Sequence, residues 1–403
     1  MGSRAEGPPR ARGPGAWEVF RVFLRLGLTS FGGPIAHLGY FREELVLRRR
    51  WLDEPAYAGL VALCQFLPGP ASSQVGMAIG LSRAGLRGAL AAWCGFTLPS
   101  AVAMILIAIT LPAWDPGTLD ALVHGLKLVA VAVVAHAVWG MARAFCRDWA
   151  HAALALAAAA CVLVRDQPWV QVAVIAAAGL VAQACFRRPA GGGGTALTPA
   201  PVSRAGAFAA LALFFVLLGV LPLLAAWWPG AAIADTFYRT GALVFGGGHV
   251  VLPLLQSGTV GAGWIGQDTF LAGYGAAQAM PGPLFTFAAF LGAAMAEGPG
   301  GWAGGALCLA AIFLPSLLLV LGVLPFWNAL QQRPRIQAAL GGINAAVVGL
   351  LAAALYRPAW TGSVQGATDV LWVASGIAML AWFKWPAWLV VLVVGGAGFL
   401  SAR

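Results

Sequence analysis

Two short stretches decide how this sequence is interpreted: LPGPASSQ at residues 67–74 and AMPGPLFT at residues 279–286. Each lies inside an otherwise apolar segment, and Gly and Pro at such density end helices. A second pair of interruptions, SFGGP at 30–34 and VFGGG at 244–248, precedes them in the chain. We therefore predict broken helices in four apolar segments, 17–40, 55–82, 235–257 and 268–297.

Composition places these breaks in a membrane. Of the 403 residues, 60% are hydrophobic and only 9% are charged, whereas a soluble domain carries about 25% charged residues. Disordered chains are poor in apolar residues, so disorder is excluded as well. The sequence predicts an all-α polytopic membrane protein with about 10–13 membrane segments. Its uninterrupted segments are 86–112, 119–141, 149–164, 168–186, 205–228, 302–327, 337–356, 367–383 and 385–400.

The net charge of +10 is carried almost entirely by arginine, because Lys127 and Lys384 are the only lysines. Nucleic-acid binding would need these arginines clustered on one face. They stand singly or in short runs between apolar segments, which predicts the lipid bilayer as a partner and no nucleic acid. The six cysteines form no CxxC motif and are interpreted as apolar filler. No metal and no other cofactor is predicted.

The two halves of the chain repeat each other. RLGLTSFGG at 25–33 matches RTGALVFGG at 239–247 at a spacing of 214 residues, and the Pro-Gly-Pro motifs match at 213. Leu-Pro-Ser at 98–100 matches 314–316 at a spacing of 216. Duplication and composition together predict four regions: a disordered tail at 1–16, a first repeat at 17–186, a Gly/Pro-rich linker at 187–204 and a second repeat at 205–403 with an extra leading helix.

Loop arginines predict that the repeats have inverted topology. The loop before segment 86–112 carries Arg83, whereas the loop after its counterpart 302–327 carries Arg333. The positive-inside rule puts both arginines in the cytoplasm, on opposite ends of equivalent segments. The unpaired leading helix of the second repeat supplies the extra crossing that reverses it. Arg357 is an exception, since it falls outside.

Paired broken segments in two halves point to a transport site at their interface. A half-helix that begins at mid-membrane directs backbone N–H groups and a partial positive charge at that site, which suits an anion. The alternative is a proline kink with satisfied small polar residues. The predicted ligands around the breaks are Phe31, Gly32, Gly33, Gln65, Pro68, Gly69, Pro70, Ser72, Ser73, Gln74, Phe245, Gly246, Gly247, Gly248, His249, Gln278, Pro281, Gly282, Pro283 and Thr286.

Charged and amide side chains complete the predicted site. Arg25 and Arg239 are equivalent in the two repeats and are interpreted as guanidinium forks for an oxyanion. Lys127 lies midway along segment 119–141, and its repeat partner is Asn344. The alternatives are snorkelling to the headgroups for the arginines and a hydrogen bond between helices for the lysine. The histidines are interpreted chiefly as packing residues.

Enzyme motifs give no support for a catalytic function. The segment 261–266 spells GxGxxG, but it lies in a loop between membrane segments and lacks a βαβ unit. The sequence contains no HExxH, P-loop or GxSxG motif. We therefore predict that the chain is not an enzyme.

Longer motifs around the breaks are similar to a known family, the chromate ion transporters. The first half resembles it in FGGPIAHLGYFREELVLRRRWLDE (31–54) and LPGPASSQ, and the second half in VFGGGHVVLPLL (244–255), AQAMPGPLFTFAAFLGA (277–293) and INAAVVGLLAAALY (343–356). Ala71 and Gln256 depart from the family's common pattern, in which Asn and Glu are frequent. The resemblance implies a long-chain, two-domain exporter of chromate that resides in the bacterial inner membrane and confers chromate resistance.

The expected substrate is chromate or a sulfate-like dianion. Moving one charge through 100 mV is worth about 2.3 kcal/mol, so a dianion that leaves a negative interior gains roughly twice that. The membrane potential therefore favours export, and proton exchange remains an alternative mode of coupling. A sulfate or other oxyanion transporter is the alternative function within transport, and a membrane enzyme or scaffold is the alternative outside it. A homo-oligomer is compatible with the sequence.

The inverted arrangement predicts the sidedness of two loops. In a cysteine-free background, Arg83→Cys and Arg333→Cys should both be shielded from an impermeant thiol reagent added outside the cell, because both loops are cytoplasmic. Both positions should react after the cells are permeabilised. Labelling of one position and not the other in intact cells would contradict inverted topology.

Overall fold

The computed structural model describes residues 15–31, 33–111, 116–165, 168–185, 202–245, 250–327 and 333–401. All regular secondary structure within these ranges is helical. Five helical stretches are long and apolar enough to cross a membrane: Ala71–Thr110, Asp120–Phe145, Arg204–Ala225, Gly301–Phe326 and Pro334–Ser363. The prediction of an all-α polytopic membrane protein is confirmed.

The first half of the chain forms seven described helices. They are α1 (Ala16–Thr29), α2 (Gly33–Phe41, continued as the π-helix Arg42–Arg48), α3 (Glu54–Phe66), α4 (Ala71–Thr110), α5 (Pro116–Phe145), α6 (Trp149–Val164) and α7 (Pro168–Cys185). Both predicted breaks separate two helices, α1 from α2 and α3 from α4. The predicted tail lies almost wholly in residues 1–14, outside the described ranges.

The second half begins with the extra helix and then repeats the series. Its helices are α8 (Arg204–Ala225), α9 (Pro229–Leu243), α10 (Val251–Thr259), α11 (Gln267–Ala279), α12 (Phe287–Ala294, after the 3-10 turn Leu284–Thr286), α13 (Gly301–Val323), α14 (Pro334–Ala354, continued as the π-helix Leu355–Trp360), α15 (Ala367–Ala381) and α16 (Ala387–Val390, continued as Val391–Gly395 and Gly396–Ser401). Most of the predicted linker, up to residue 201, is outside the described ranges.

Helix α4 consists of two helical parts that meet at a sharp kink. Ala84 (φ −141°, ψ 28°) and Gly85 (φ +60°, ψ −153°) have non-helical backbone, and Gly80 packs against the carbonyl oxygen of Gly88 across the kink. Glycine reaches a positive φ without the steric penalty of a Cβ atom, so the chain can change direction here. The kink falls between segments 55–82 and 86–112, which were predicted as separate units.

Close helix crossings at equivalent glycines hold each half together. Helix α1 crosses α4 at Gly27, where a Cβ atom would lie 2.7 Å from the carbonyl oxygen of Gly95. Helix α9 crosses α13 at Gly241, which lies against the backbone of Ile312 in the same manner. Small residues that allow backbones to approach are typical of helix packing in membranes. The first crossing places the break after α1 beside α4, and the second places the break after α9 beside α13.

These crossings generate a stability prediction. Gly27→Ala and Gly241→Ala should each lower the free energy of unfolding by about 1–3 kcal/mol, because the added methyl meets backbone that has no room to move. Thermal unfolding of the detergent-purified protein measures the effect. Gly39→Ala is the matched control, since a Cβ atom at this α2 position meets nothing within 4 Å. A destabilisation by Gly39→Ala equal to that of the other two variants would contradict the crossing argument.

Candidate functional site

The two halves meet where their breaks cross. The backbone N–H of Gly282, in the second Pro-Gly-Pro, donates to the carbonyl oxygen of Ser30 at 2.9 Å. The N–H of Gly69, in the first Pro-Gly-Pro, donates to the carbonyl oxygen of Val244 at 2.6 Å. Ser30 and Val244 occupy equivalent positions after α1 and α9. Each Pro-Gly-Pro is therefore tied to the glycine-rich break of the opposite half.

Only glycine suits the two central positions of these motifs. Gly69 has φ +118° and Gly282 has φ +94°, in the region that residues with a Cβ atom rarely adopt. A Cβ atom at Gly282 would lie 2.9 Å from Ser100 Oγ and 3.0 Å from the carbonyl oxygen of Phe96. At Gly69 it would collide with Ser316 Oγ, the equivalent hydroxyl of the other half. The crossing is thus close-packed on both sides.

A cavity of about 410 Å³ opens beside the second crossing, within the range of about 300–1,000 Å³ that is usual for small-molecule sites. Four of the predicted site residues line it, namely Phe31, Gly33, Gln278 and Gly282. The other lining residues are Pro34, Ala36, Tyr40, Val133, His136, Ala277, Met280, Leu284, Leu380, Lys384, Trp385, Pro386 and Ala387. We call this space the large cavity.

Nitrogen groups from three elements converge on the large cavity. Gln278 Nε2 on α11 and His136 Nδ1 on α5 are buried and have no hydrogen-bond partner in the described part of the chain. Lys384, between α15 and α16, is exposed and forms no salt bridge with a described residue. A positive φ of 54° shapes the backbone at this lysine. An unpaired amide donor and a free cation are groups that an anion requires, and the imidazole adds a nitrogen that donates in one of its two tautomers.

Sequence reasoning missed His136 and Lys384 as site residues. His136 was treated as a packing residue on the Lys127 helix, and Lys384 was placed between two predicted spans. Two features of the sequence could have drawn attention to Lys384. It is one of only two lysines, and it is flanked by aromatic residues in WFKWP at 382–386.

The first crossing is packed rather than open. Gln74 is fully buried, and its Nε2 donates to the carbonyl oxygen of Pro68 at 2.6 Å. Ser72 Oγ lies 3.3 Å from His37 Nδ1. Ser73 Oγ is buried without a hydrogen-bond partner among the described residues. Pro70 precedes the first turn of α4, so the predicted half-helix does begin directly after the break.

The second crossing differs from the first in its side chains. Thr286, the equivalent of Ser73, donates its hydroxyl to the carbonyl oxygen of Pro283 at 2.9 Å within the 3-10 turn. Gln65 is exposed on α3, whereas its equivalent Gln278 lines the large cavity. Pro281 is half-buried at the break itself.

The predicted charged ligands lie apart from the large cavity. Arg25 is exposed on α1, which favours the snorkelling alternative. Arg239 Nη2 binds both carboxylate oxygens of Asp235 at 2.8 Å. Lys127 Nζ donates to Asp268 Oδ1 at 2.7 Å, a pairing of α5 with α11 that neutralises the lysine. These contacts give Arg239 and Lys127 structural partners.

The other predicted site residues either lie away from the large cavity or fall outside the described ranges. Asn344 is half-buried on α14, and Phe245 is half-buried at the end of a described stretch. Five predicted residues lie outside the described ranges: Gly32, Gly246, Gly247, Gly248 and His249.

Known proteins resemble this chain along most of its length. It is 30% identical to the chromate transport protein of Pseudomonas aeruginosa over 394 residues, which cover 95% of this chain and 92% of that protein. It is 26% identical to the chromate transport protein of Cupriavidus metallidurans, with 91% and 88% of the two chains covered. An uncharacterized transporter of Methanocaldococcus jannaschii is 27% identical, with 96% and 94% covered.

No solved structure matches the chain. The description of the chromate transporter family matches residues 17–183 and 231–399, two stretches that begin at the helices leading into the first break of each half. These two stretches cover most of the sequence, and helices of membrane-spanning length run through both. The protein is a multi-pass membrane protein that belongs to the chromate transporter family.

Proposed function

We propose that this protein exports chromate, or a closely similar tetrahedral oxyanion, from the cytoplasm across the inner membrane of a bacterium. The observation that carries the proposal is the large cavity at the crossing of the two breaks, with Lys384, His136 and Gln278 at its wall. The names of the relatives from Pseudomonas and Cupriavidus support chromate as the transported ion. Transport, rather than catalysis, agrees with the names of all these relatives.

The chemistry of the large cavity suits reversible binding of a dianion. The Lys384 ammonium offers one full charge and three donors, and the Gln278 amide offers neutral donors. Apolar walls at Phe31 and Val133 exclude water from the buried Gln278 amide, which strengthens its interaction with the ion, whereas the exposed Lys384 acts in a more polar environment. One cation leaves a dianion only partly neutralised. The site would therefore hold the ion without trapping it, as a transport pathway requires.

Sidedness supports export as the direction. Under the predicted inverted topology, α14 starts in the cytoplasm at Arg333 and α15 returns to it, so the Lys384 loop faces the cytoplasm. The large cavity would then bind the oxyanion from the cytoplasm, which is the compartment that an exporter empties. A dianion that moves outward through 100 mV gains roughly twice the 2.3 kcal/mol of a single charge, so the membrane potential suffices as a driving force.

Sulfate is the second candidate substrate. Chromate and sulfate are both tetrahedral dianions, and the donors of the large cavity recognise charge and oxygen atoms rather than the central atom. The same residues would bind either ion, and their relative affinities decide the physiological substrate.

Everted membrane vesicles provide the test of the proposed function. Export then appears as uptake of labelled chromate into the vesicle, driven by the interior-positive potential that respiration generates. Uptake should exceed that of vesicles without the protein, and it should fall when the potential is collapsed with an ionophore. Unlabelled sulfate, added as a competitor, reports the shared site. Equal chromate uptake with and without the protein would reject the proposal.

Lys384 gives the sharpest variant for the same assay. Lys384→Gln removes a charge-assisted interaction worth about 1.5–3 kcal/mol, so the apparent KM for chromate should rise about 10- to 100-fold. Lys384→Arg retains the charge and should remain close to the unmodified protein. Arg25→Gln is the matched control, because it removes an exposed charge that lies apart from the large cavity. An unchanged KM in Lys384→Gln would remove this lysine from the site.

A further inference from the structure

A second, much smaller cavity lies elsewhere in the chain, at the equivalent ends of the corresponding helices. Its volume is about 30 Å³, and we call it the small cavity. Helices α6, α7, α10 and α14 enclose it. Its lining residues are Val162, Leu163, Gln171, Pro253, Gln256, Ser257, Leu350, Ala353, Ala354 and Arg357.

The small cavity is the counterpart of the large cavity in the other repeat. Helices α5 and α14 match at a spacing of 217 residues, which pairs Val133 with Leu350 and His136 with Ala353. In both pairs, the first residue lines the large cavity and the second lines the small one. The same spacing pairs Leu163 of α6 with Leu380 of α15, and these two residues also line the two cavities. Equivalent positions thus enclose spaces of about 410 and 30 Å³.

Arg357 is the group of the small cavity that suits an anion. Gln171 is 1% exposed, and its Nε2 donates to the carbonyl oxygen of Pro253 at 3.4 Å, so its amide contributes polarity to the wall rather than a free donor. Arg357 lines the same space, is exposed, and forms no salt bridge with a described residue. Its backbone leaves the helical conformation, with φ −129° and ψ 117°. A guanidinium is a strong ligand for oxyanions because its donors match two oxygen atoms at once.

The two cavities face opposite sides of the membrane under the predicted topology. Leu380 and Leu163 each occupy the last turn of their helix, and inversion of the repeats places those ends on opposite faces. The small cavity with Arg357 is then external. Arg357 is the arginine that departs from the positive-inside trend, and a role in anion binding would explain its presence there.

We propose that the small cavity is the contracted external counterpart of the large cavity, and that it widens to release the oxyanion, with Arg357 as its cation. This inference rests on the proposed function. The two repeats share one helix arrangement, and each encloses its cavity in a different conformation. Exchange of these conformations between the repeats closes the large cavity and opens the small one, which is the expected form of alternating access between inverted repeats. The ion then moves from Lys384 to Arg357.

Accessibility of one matched pair of positions tests the exchange. In a cysteine-free background, Leu350→Cys reports the small cavity and Val133→Cys reports the large one. An impermeant thiol reagent is applied to intact cells for Leu350→Cys and to everted vesicles for Val133→Cys. Loading the cytoplasmic side with chromate should raise external labelling of Leu350→Cys about tenfold, as expected when a minor conformation becomes well populated. Internal labelling of Val133→Cys should fall under the same conditions.

Chromate uptake is measured for both cysteine variants, which separates the two hypotheses. Absence of uptake in the unmodified protein would reject the proposed function. Normal uptake without any external labelling of Leu350→Cys would overturn the exchange of cavities, and so would labelling of both positions from the same side.

Arg357 provides an independent measurement. Arg357→Gln should lower the maximal rate of chromate uptake about tenfold, consistent with the loss of one charge-assisted hydrogen bond, while the KM measured at the cytoplasmic side stays unchanged. Lys384→Gln should show the reverse pattern, and Arg357→Lys should restore most of the rate. Arg335→Gln, which changes an exposed arginine near the opposite end of α14, is the matched control. A normal rate in Arg357→Gln would overturn the external site.

Discussion

The structure depends on two backbone hydrogen bonds that the repeats exchange, from Gly69 to Val244 and from Gly282 to Ser30. An unwound segment inside a membrane has no water to satisfy its N–H and C=O groups, and each unsatisfied group costs several kcal/mol. Each repeat leaves two segments unwound, and the partner for one of them lies in the other repeat. Neither break is therefore stable without its counterpart, and the site forms only where both halves are present.

This requirement accounts for the residues at the crossing. A short unwound segment must place an N–H against a carbonyl of the opposite half while it passes close to a packed helix. Proline on both sides of a glycine ends the preceding helix and fixes the neighbouring dihedral angles. The glycine supplies the positive φ and leaves room for Ser316 or Ser100. The large cavity lies directly beside this packed second crossing, and Gly282 forms part of its wall.

Hydropathy and the Gly/Pro pattern were sufficient to predict most of the helices and the breaks. The start of α4 at Ala71 and the independence of α3 from it follow directly from LPGPASSQ, since this motif both ends a helix and begins one. The polar groups that line the large cavity could not be predicted in this way. The sequence argument looked for ligands that occur in both repeats, and at the 217-residue spacing His136 matches Ala353, which carries no polar group. A ligand that occurs in only one half of the chain cannot be found by comparing the two halves.

Lys127 shows a second limit, which concerns contacts between distant segments. A lysine in an apolar helix predicts a ligand or a partner, and the sequence does not distinguish them. Its partner Asp268 is 141 residues away, in the first turn of α11, and hydropathy assigns that residue to a segment end rather than to a membrane core. Packing of α5 against α11 brings the two together. In the proposed site, their pairing would leave Lys384 as the cation that is available to the ion.

The number of free cations along the pathway follows from what transport requires. Two guanidinium forks from Arg25 and Arg239 would neutralise a dianion fully, and in a low-dielectric site such pairing is hard to reverse. A pathway must bind its ion well enough to desolvate it and weakly enough to release it. In the proposed pathway, a single lysine in the large cavity meets both conditions, because the remaining negative charge of the complex would still be acted on by the membrane potential. The paired positions of Arg239 and Lys127 are consistent with that proposal, in which each cavity offers the ion one cation.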